Sequence, residues 1–235
     1  MKYDILIPAY NESENLRRIE SELITELNKN SIAYQIFLIN DGSSDDTLII
    51  AEEMAAINKN IKILNHDKNK GLGAALRTGY AKCTNEWVIT IDADLSYSPD
   101  QIINLVHKVS DDVDAIFGSP YMKGGKVEGV SGIRIFPSKV VNILYSLFMK
   151  KRLSCWTGIF RMVRLKSIQE IEITNDGFDS VAEIAVKLSK NKSKIVEIPA
   201  TLGLRIYGES KLSLVRETVG HLKQLNRILL KRFNK

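Results

Sequence analysis

Hydrophobic and polar positions along the chain follow two alternating rhythms. Short apolar runs at Tyr3–Pro8, Tyr34–Ile39, Ile61–Leu64, Trp87–Ile91 and Val113–Phe117 read as strands. Between them, apolar residues recur at helical spacing. Leu16, Ile19, Leu23, Ile24 and Leu27 form one such stripe, and Ala74, Ala75, Leu76 and Tyr80 open another. A further helix, rich in Ile, Ala and Met, follows Thr47. Asn11 is expected to cap the first helix, with Glu14 as its capping-box partner. Pro99 suits the first turn of a later one. Strand–helix alternation with short connections predicts an α/β fold with a parallel sheet, helices on both faces and right-handed crossovers. Ligands of such sheets sit beyond the carboxyl ends of the strands.

The second half is less regular. Gly118–Gly132 is glycine-rich and reads as a long loop, a kind of segment that is usually functional or mobile. Ile135–Lys151 has helical spacing, Trp156–Val163 is a possible strand, Phe178–Leu188 a helix and Lys194–Ile198 a strand. Leu212 onward reads as a helical C-terminal extension. No internal repeat or low-complexity linker interrupts the chain, so residues 1–235 are expected to form one domain.

Composition narrows the class. The 235 residues are 44% hydrophobic and 26% charged, which excludes wholesale disorder and fibrous folds. Two cysteines, Cys83 and Cys155, support neither a metal cluster nor a disulfide framework, and favour a reduced cytosolic compartment. No apolar run approaches the ~20 residues that span a bilayer. The N-terminus enters a strand at once, so no secretory signal is expected. Net charge is +5. The tail His221–Lys235 holds five Lys/Arg and no acid. It reads equally as a surface for lipid headgroups or as the solvated face of a last helix. With no basic stripe interleaved by aromatics, nucleic acid is not an expected partner.

Four constellations carry candidate chemistry. Asp92-Ala93-Asp94 places two carboxylates at a strand end, where they suit a hard divalent cation; Ser96 adds a hydroxyl. They read otherwise as solvated loop acids. Asp41 follows a strand and precedes Gly42, as either a ligand contact or turn chemistry. The small residues of Asn69–Ala75, Gly71 among them, allow close approach of a ligand or of a neighbouring strand. Arg205 and Lys211 bracket a Gly-containing turn and suit phosphate oxygens, or form an exposed charged loop. His66, His107 and His221 share no metal-ligand spacing, and Cys155 reads as a buried structural thiol.

Taken together, IPAYNESENL (Ile7–Leu16), NDGSSDDT (Asn40–Thr47), NKGLGAALRTGY (Asn69–Tyr80), DADLSYSPD (Asp92–Asp100) and RIYGESKLS (Arg205–Ser213) resemble family 2 glycosyltransferases, most of all dolichol- or polyprenyl-phosphate mannosyltransferases. The resemblance spans nearly the whole chain. It implies a nucleotide-sugar (GT-A) fold, Mg²⁺ or Mn²⁺, and inversion at the anomeric carbon. Residues 1–118 would be the nucleotide-binding half and 119–235 the acceptor-side half. Pro8, Ala9, Tyr10 and Glu12 would line the nucleotide pocket with Gly71, and Asp41 would contact the base. Asp92 and Asp94 would hold the metal, with Ser96 where relatives often carry Gln. Arg205 and Lys211 would hold the diphosphate, which makes Asp94 and Arg205 the expected catalytic pair.

Arg134, Ser138 and Asn142, one helical turn apart, resemble the family's acceptor-phosphate stretch. A lipid monophosphate is already anionic, so its attack needs no general base. The implied reaction moves a hexose, mannose first, from a nucleoside-diphosphate sugar to a polyprenyl phosphate. The implied place is the cytoplasmic membrane face, as a peripheral protein with or without a membrane-anchoring partner. Two departures bear on acceptor and sugar. Pro120 stands where the family has Arg in a Gly-Thr-Arg-Tyr-like run, and Cys155 stands where it has Asp. The alternatives are transfer to a polysaccharide hydroxyl, for which Asp179 or Glu183 would be the base, a non-catalytic nucleotide-binding protein of the same fold, and a nucleotidyltransferase.

Overall fold

The computed structural model describes residues 1–129, 132–207 and 219–227, without the side chains of residues 132–134. The apolar runs do form strands: β1 (Lys2–Ala9), β2 (Ala33–Asn40), β3 (Ile61–Asn65), β4 (Trp87–Thr90) and β5 (Ala115–Ser119). Helices α1 (Ser13–Arg18) and α2 (Thr25–Lys29), α3 (Thr47–Ile57), α4 (Leu72–Tyr80) and α5 (Gln101–Val106) intervene. A wider π-helical stretch, Ile19–Ile24, joins α1 to α2, so the predicted apolar stripe runs through one nearly continuous rod. Downstream lie a two-residue β6 (Lys126–Val127), α6 (Gly132–Met149), β7 (Arg161–Arg164), α7 (Leu165–Gln169), α8 (Asp179–Lys190), β8 (Ile195–Pro199) and β9 (Thr201–Leu202).

The main sheet has seven strands in the order β3-β2-β1-β4-β7-β5-β8. It is parallel except for β7, which runs antiparallel to both β4 and β5. Both faces are buried, which explains why the strands read as unbroken apolar runs. Ile5 and Ile7 of β1 face one layer with Leu16, Leu23 and Ile102, while Leu6 faces the other with Ala75, Leu76 and Val181. Successive side chains of a strand point to opposite faces, so a single run feeds two cores.

Three expectations change at the element ends. Asn11 does not cap α1. It adopts the left-handed conformation (φ 52°), and its Oδ1 accepts a hydrogen bond from Ser44 N at 2.8 Å, so it ties the β1 loop to the β2 loop. Asn tolerates this conformation better than most residues because its short polar side chain can bond locally. The strand expected at Trp156–Val163 gives way to β7, because residues 156–158 bend around the buried Arg161, whose Nη2 donates to Trp156 O at 3.3 Å and to Gly158 O. The long Gly118–Gly132 loop contains β6, which pairs with β9.

Of the expected C-terminal extension, residues 219–227 are helical, and the remainder lies outside the described residues. His221 is buried there, with Nδ1 3.1 Å from Tyr145 Oη and its ring edge-on to Tyr145. Burial pushes its pKa down from 6.5 to about 4. A histidine held neutral by the fold charges more readily when unfolded. Its contribution is therefore intact above pH ~6.5 and is lost as pH falls toward about 4. That loss is on the order of 3 kcal/mol. Urea titrations of His221→Asn from pH 7 to 4 should show a shallower fall in stability than wild type. Parallel curves would mean that His221 is not buried in solution.

Candidate active site

The carboxyl ends of β1, β2 and β4 lie side by side, because these three strands are adjacent and parallel. The chain leaves β1 for β2 on one side, and β4 pairs on the other. The β1/β4 crevice is therefore a switch point of the sheet, the usual ligand position in such folds. Pro8 and Ala9 end β1, and Tyr10, Asn11 and Glu12 form the loop above it. Glu12 N donates to Thr47 Oγ1 at 2.8 Å, and Asn15 Nδ2 donates to Glu12 Oε2 at 2.7 Å.

Asp92, Ala93 and Asp94 follow β4 in a tight curl, with Leu95 N donating to Asp92 O at 3.2 Å. Leu95 is buried and left-handed (φ 52°), a conformation that is costly for an ordinary side chain and is typically stored at functional loops. Asp94 Oδ1 accepts from Ser96 N at 2.9 Å, and Arg18 Nη1 donates to Asp94 O at 2.7 Å. The backbone, not the hydroxyl, is therefore what joins Ser96 to Asp94.

Arg205 arrives from the far end of the chain. Gly203 N donates to Ser96 O at 2.8 Å, and this clips the β9 exit to the Asp92–Ser96 curl. The guanidinium then ion-pairs with Glu12 and lies 3.7 Å from Asp94 Oδ2. Burial, then Asp94 and Glu12, push the Asp92 carboxyl well above the usual range, and Arg205 opposes them only in part. Among the described residues, the carboxyl groups of Glu12, Asp92 and Asp94 gather around the Arg205 guanidinium. Among the described residues, no group of three or more His, Cys, Asp or Glu is gathered to hold a metal by itself. Asp92 and Asp94 thus fit a hard divalent ion that takes its remaining oxygens from a ligand.

Asp41 and the glycine segment are placed differently from a simple ligand contact. Asp41 is buried, and its carboxylate accepts from Lys70 N at 2.9 Å and Gly71 N at 2.8 Å. His66 Nδ1 sits 2.7 Å from the same carboxylate, and its Nε2 is 2.9 Å from Thr78 Oγ1. Gly71 has φ 92°, and a Cβ there would lie 2.4 Å from Asp176 O. A Cβ on Gly73 would lie 2.0 Å from Asn175 O. The expected neighbour was a ligand or a strand; among the described residues these glycines pack instead against the loop at Asn175 and Asp176. His66 was missed from the sequence. The available signal was its position immediately after β3, at the same sheet edge as the other site residues.

Of the residues expected on the acceptor side, Ser138 and Asn142 are described and lie beside Tyr121, just beyond β5. Tyr121 Oη donates to Ser138 Oγ at 2.9 Å, and Asn142 Nδ2 donates to Ser138 O at 2.8 Å. Asn142 is buried, its Oδ1 accepting from Trp156 N at 2.5 Å, so it supports Ser138 and the 156–158 turn from beneath. The Arg134 side chain and Lys211 lie outside the described residues. Cys155 is buried, its thiol pushed up to about 11, which makes it a structural thiol and not a nucleophile at neutral pH. Pro120 follows Ser119, whose hydroxyl is 2.6 Å from Ser154 Oγ.

Residues 4–172 match the family model described as glycosyl transferase family 2. The chain belongs to glycosyl transferase family 2. This family 2 chain is 31% identical over 229 residues to a dolichol-phosphate mannosyltransferase of Pyrococcus furiosus, across 96% of its own length but 64% of the relative's. It is 27% identical to a polyprenol monophosphomannose synthase of Mycolicibacterium smegmatis, covering 89% of this chain and 80% of that one. Glucosyl-3-phosphoglycerate synthase of Mycobacterium tuberculosis, solved with Mn²⁺ and UDP, aligns with a TM-score of 0.69 at 16% identity, across 98% of this chain and 79% of that one. That likeness establishes the GT-A fold.

Proposed function

We propose that the protein is a metal-dependent inverting hexosyltransferase. Its donor is a nucleoside-diphosphate sugar, GDP-mannose first and a UDP-sugar next, and its acceptor is a polyprenyl phosphate at the cytoplasmic membrane face. The carrying observation is the convergence of Asp92, Asp94, Glu12 and Arg205 above the β1/β4 crevice. In this reading residues 1–118 serve the donor, with Pro8, Ala9 and Tyr10 as pocket wall and Asp41 fixing the Lys70–Gly71 wall. Mg²⁺ or Mn²⁺ held by Asp92 and Asp94 would offset negative charge on the leaving diphosphate. Arg205, moving from Glu12 toward the diphosphate, and Lys211 add positive charge where it builds up. A phosphate oxygen of the acceptor forms the new bond to the anomeric carbon as the bond to the β-phosphate breaks. The nucleoside diphosphate departs with that electron pair, and no proton has to be removed. Residues 119–235 would serve the acceptor, with Arg134 and Ser138 as its phosphate contacts and Asn142 supporting Ser138. The relatives' printed names support the polyprenyl phosphate and mannose. The named polyprenol and dolichol substrates also motivate a membrane-anchoring partner. No described helix is long and apolar enough to cross a membrane.

The test is Arg134→Ala, assayed with a polyprenyl phosphate and with a soluble sugar acceptor. Transfer to the lipid phosphate should fall by roughly a hundredfold, the scale of losing one charged contact to the reacting group. Full activity of the variant toward a soluble hydroxyl acceptor would replace this reading with direct transfer to a polysaccharide. Nucleotide binding with no turnover on a broad panel would make the protein a non-catalytic binder.

A further inference from the structure

An acid interrupts the apolar pattern of β8. Val196 and Ile198 pack against one core layer and Ile195 against the other. Glu197 falls on the same face as Ile195, because side chains alternate along a strand. Its partner across the sheet is Phe117, a buried member of that second layer. A carboxylate in such a place is costly unless its oxygens are satisfied. One short segment satisfies them. Glu197 accepts from Ser154 N at 2.8 Å, Ser154 Oγ at 2.9 Å and Cys155 N at 2.8 Å. An apolar residue would complete β8 without that requirement, so the reason for the acid lies in what it holds.

What it holds leads to Ser138 by two routes. The Ser154 hydroxyl gives its one proton to Glu197, so in the 2.6 Å contact between Ser119 Oγ and Ser154 Oγ the donor is Ser119. Ser119 Oγ accepts in turn from Tyr121 N at 3.2 Å, and Tyr121 Oη donates to Ser138 Oγ at 2.9 Å. The second route follows the chain from Cys155 to Thr157. Trp156 N donates to Asn142 Oδ1, and Asn142 Nδ2 donates to Thr157 Oγ1 at 3.2 Å and to Ser138 O at 2.8 Å. Asn142 Nδ2 also reaches Ser138 Oγ at 3.4 Å. The Ser138 hydroxyl thus accepts from Tyr121 and from Asn142, and its own proton points away from both.

We propose that Glu197 is a positioning residue for the acceptor. By ordering the Ser154–Ser119–Tyr121 chain and the 155–157 segment, it fixes the direction in which Ser138 presents its proton to an acceptor oxygen. For the role of Ser138 the inference rests on the functional reading above, in which that oxygen belongs to a phosphate.

The experiment measures kcat/KM of the full chain toward a short, water-soluble prenyl phosphate and toward a soluble sugar acceptor, together with KM for the nucleotide sugar. Glu197→Gln keeps the size of the side chain but turns an NH₂ group toward donors that need an acceptor. Its kcat/KM for the acceptor should fall about tenfold or more, the scale of a misplaced contact at a reacting group. Its KM for the donor should stay within about twofold. Ser154→Ala keeps both backbone donors to Glu197 and removes only the hydroxyl link. It should lose part of the same activity, and should add little to Glu197→Gln, because members of one hydrogen-bonded chain do not act additively. If Glu197→Gln does not fold, Ser154→Ala decides alone. Unchanged kcat/KM for the acceptor in the folded variant overturns the proposal. So does an equal rise in donor and acceptor KM, which is how a merely structural staple behaves. Wild-type transfer to the soluble sugar alone would sink the lipid-phosphate reading, and Glu197 is then judged by kcat/KM for that sugar. Absence of wild-type transfer to either acceptor overturns both.

Discussion

Asp94→Asn should reduce turnover by roughly a thousandfold while leaving the ligand-free fold as stable as wild type or slightly more so. The loss follows from what Asp94 does. In the proposed mechanism it is one of two carboxylates that would hold the divalent ion, and it lies 3.7 Å from the Arg205 guanidinium. The small stability effect follows from the same geometry. Asp94 is one of the groups pushing the Asp92 carboxyl upward, after burial itself. Removing its charge relieves that crowding, and asparagine keeps an oxygen for Ser96 N. Thermal melts with Mn²⁺ plus GDP, UDP or their sugar conjugates provide the second readout. A ligand at a hundredfold excess over its dissociation constant stabilises by about 2.7 kcal/mol. Wild type should show a metal-dependent shift with one nucleotide, and the variant should show none. Turnover within tenfold of wild type would remove Asp94 from the chemistry.

How much of this was legible in the sequence depends on the range of the interaction. The strands of residues 1–118 were legible because burial on both sheet faces turns each into an apolar run, as in Tyr3–Pro8 and Trp87–Ile91. The carboxylates were legible because they sit directly beyond those runs. The antiparallel sense of β7 was not, because a four-residue segment takes its direction from the partners it finds, β4 and β5. The two-residue β6 and β9 carry no pattern at all, yet the exit from β9 delivers Arg205 to Asp94. Gly71 and Gly73 announced a close approach without saying to what; the answer lies about a hundred residues away, at Asn175 and Asp176. Asn11 looked like a helix cap because Asn, a turn and a following Glu are common to caps and to loop ties.

Glu183→Ala should cost about 2–4 kcal/mol of stability, and Glu183→Gln should lower stability more than it lowers kcat. Glu183 is buried on α8. Its carboxylate accepts from Thr174 N at 3.0 Å and Asn175 N at 2.8 Å, bonds the Thr174 hydroxyl, and pairs with Lys187 at 2.7 Å. Burial alone would raise its pKa. The hydrogen bonds from Lys187, Thr174 and Asn175 prevail and hold it below the usual 4.5. Its stabilisation is therefore present above pH ~4.5 and is lost as acid protonates the folded carboxylate. Truncation leaves two backbone N–H groups of the 174–175 segment without their acceptor. That segment and the adjoining Asp176 pack on Gly71 and Gly73, and Arg77 Nη1 donates to Asn175 O at 3.1 Å. Loosening it should therefore reach the donor site and raise KM for the nucleotide sugar severalfold. A general base behaves in the opposite way: the glutamine variant of a base keeps its stability and loses kcat. Urea denaturation and steady-state kinetics on Glu183→Gln separate the two. A collapse of kcat with unchanged stability would restore Glu183 as the base for a hydroxyl acceptor. The reverse pattern would remove Glu183 as that base and leave Asp179 as the remaining candidate for a hydroxyl acceptor.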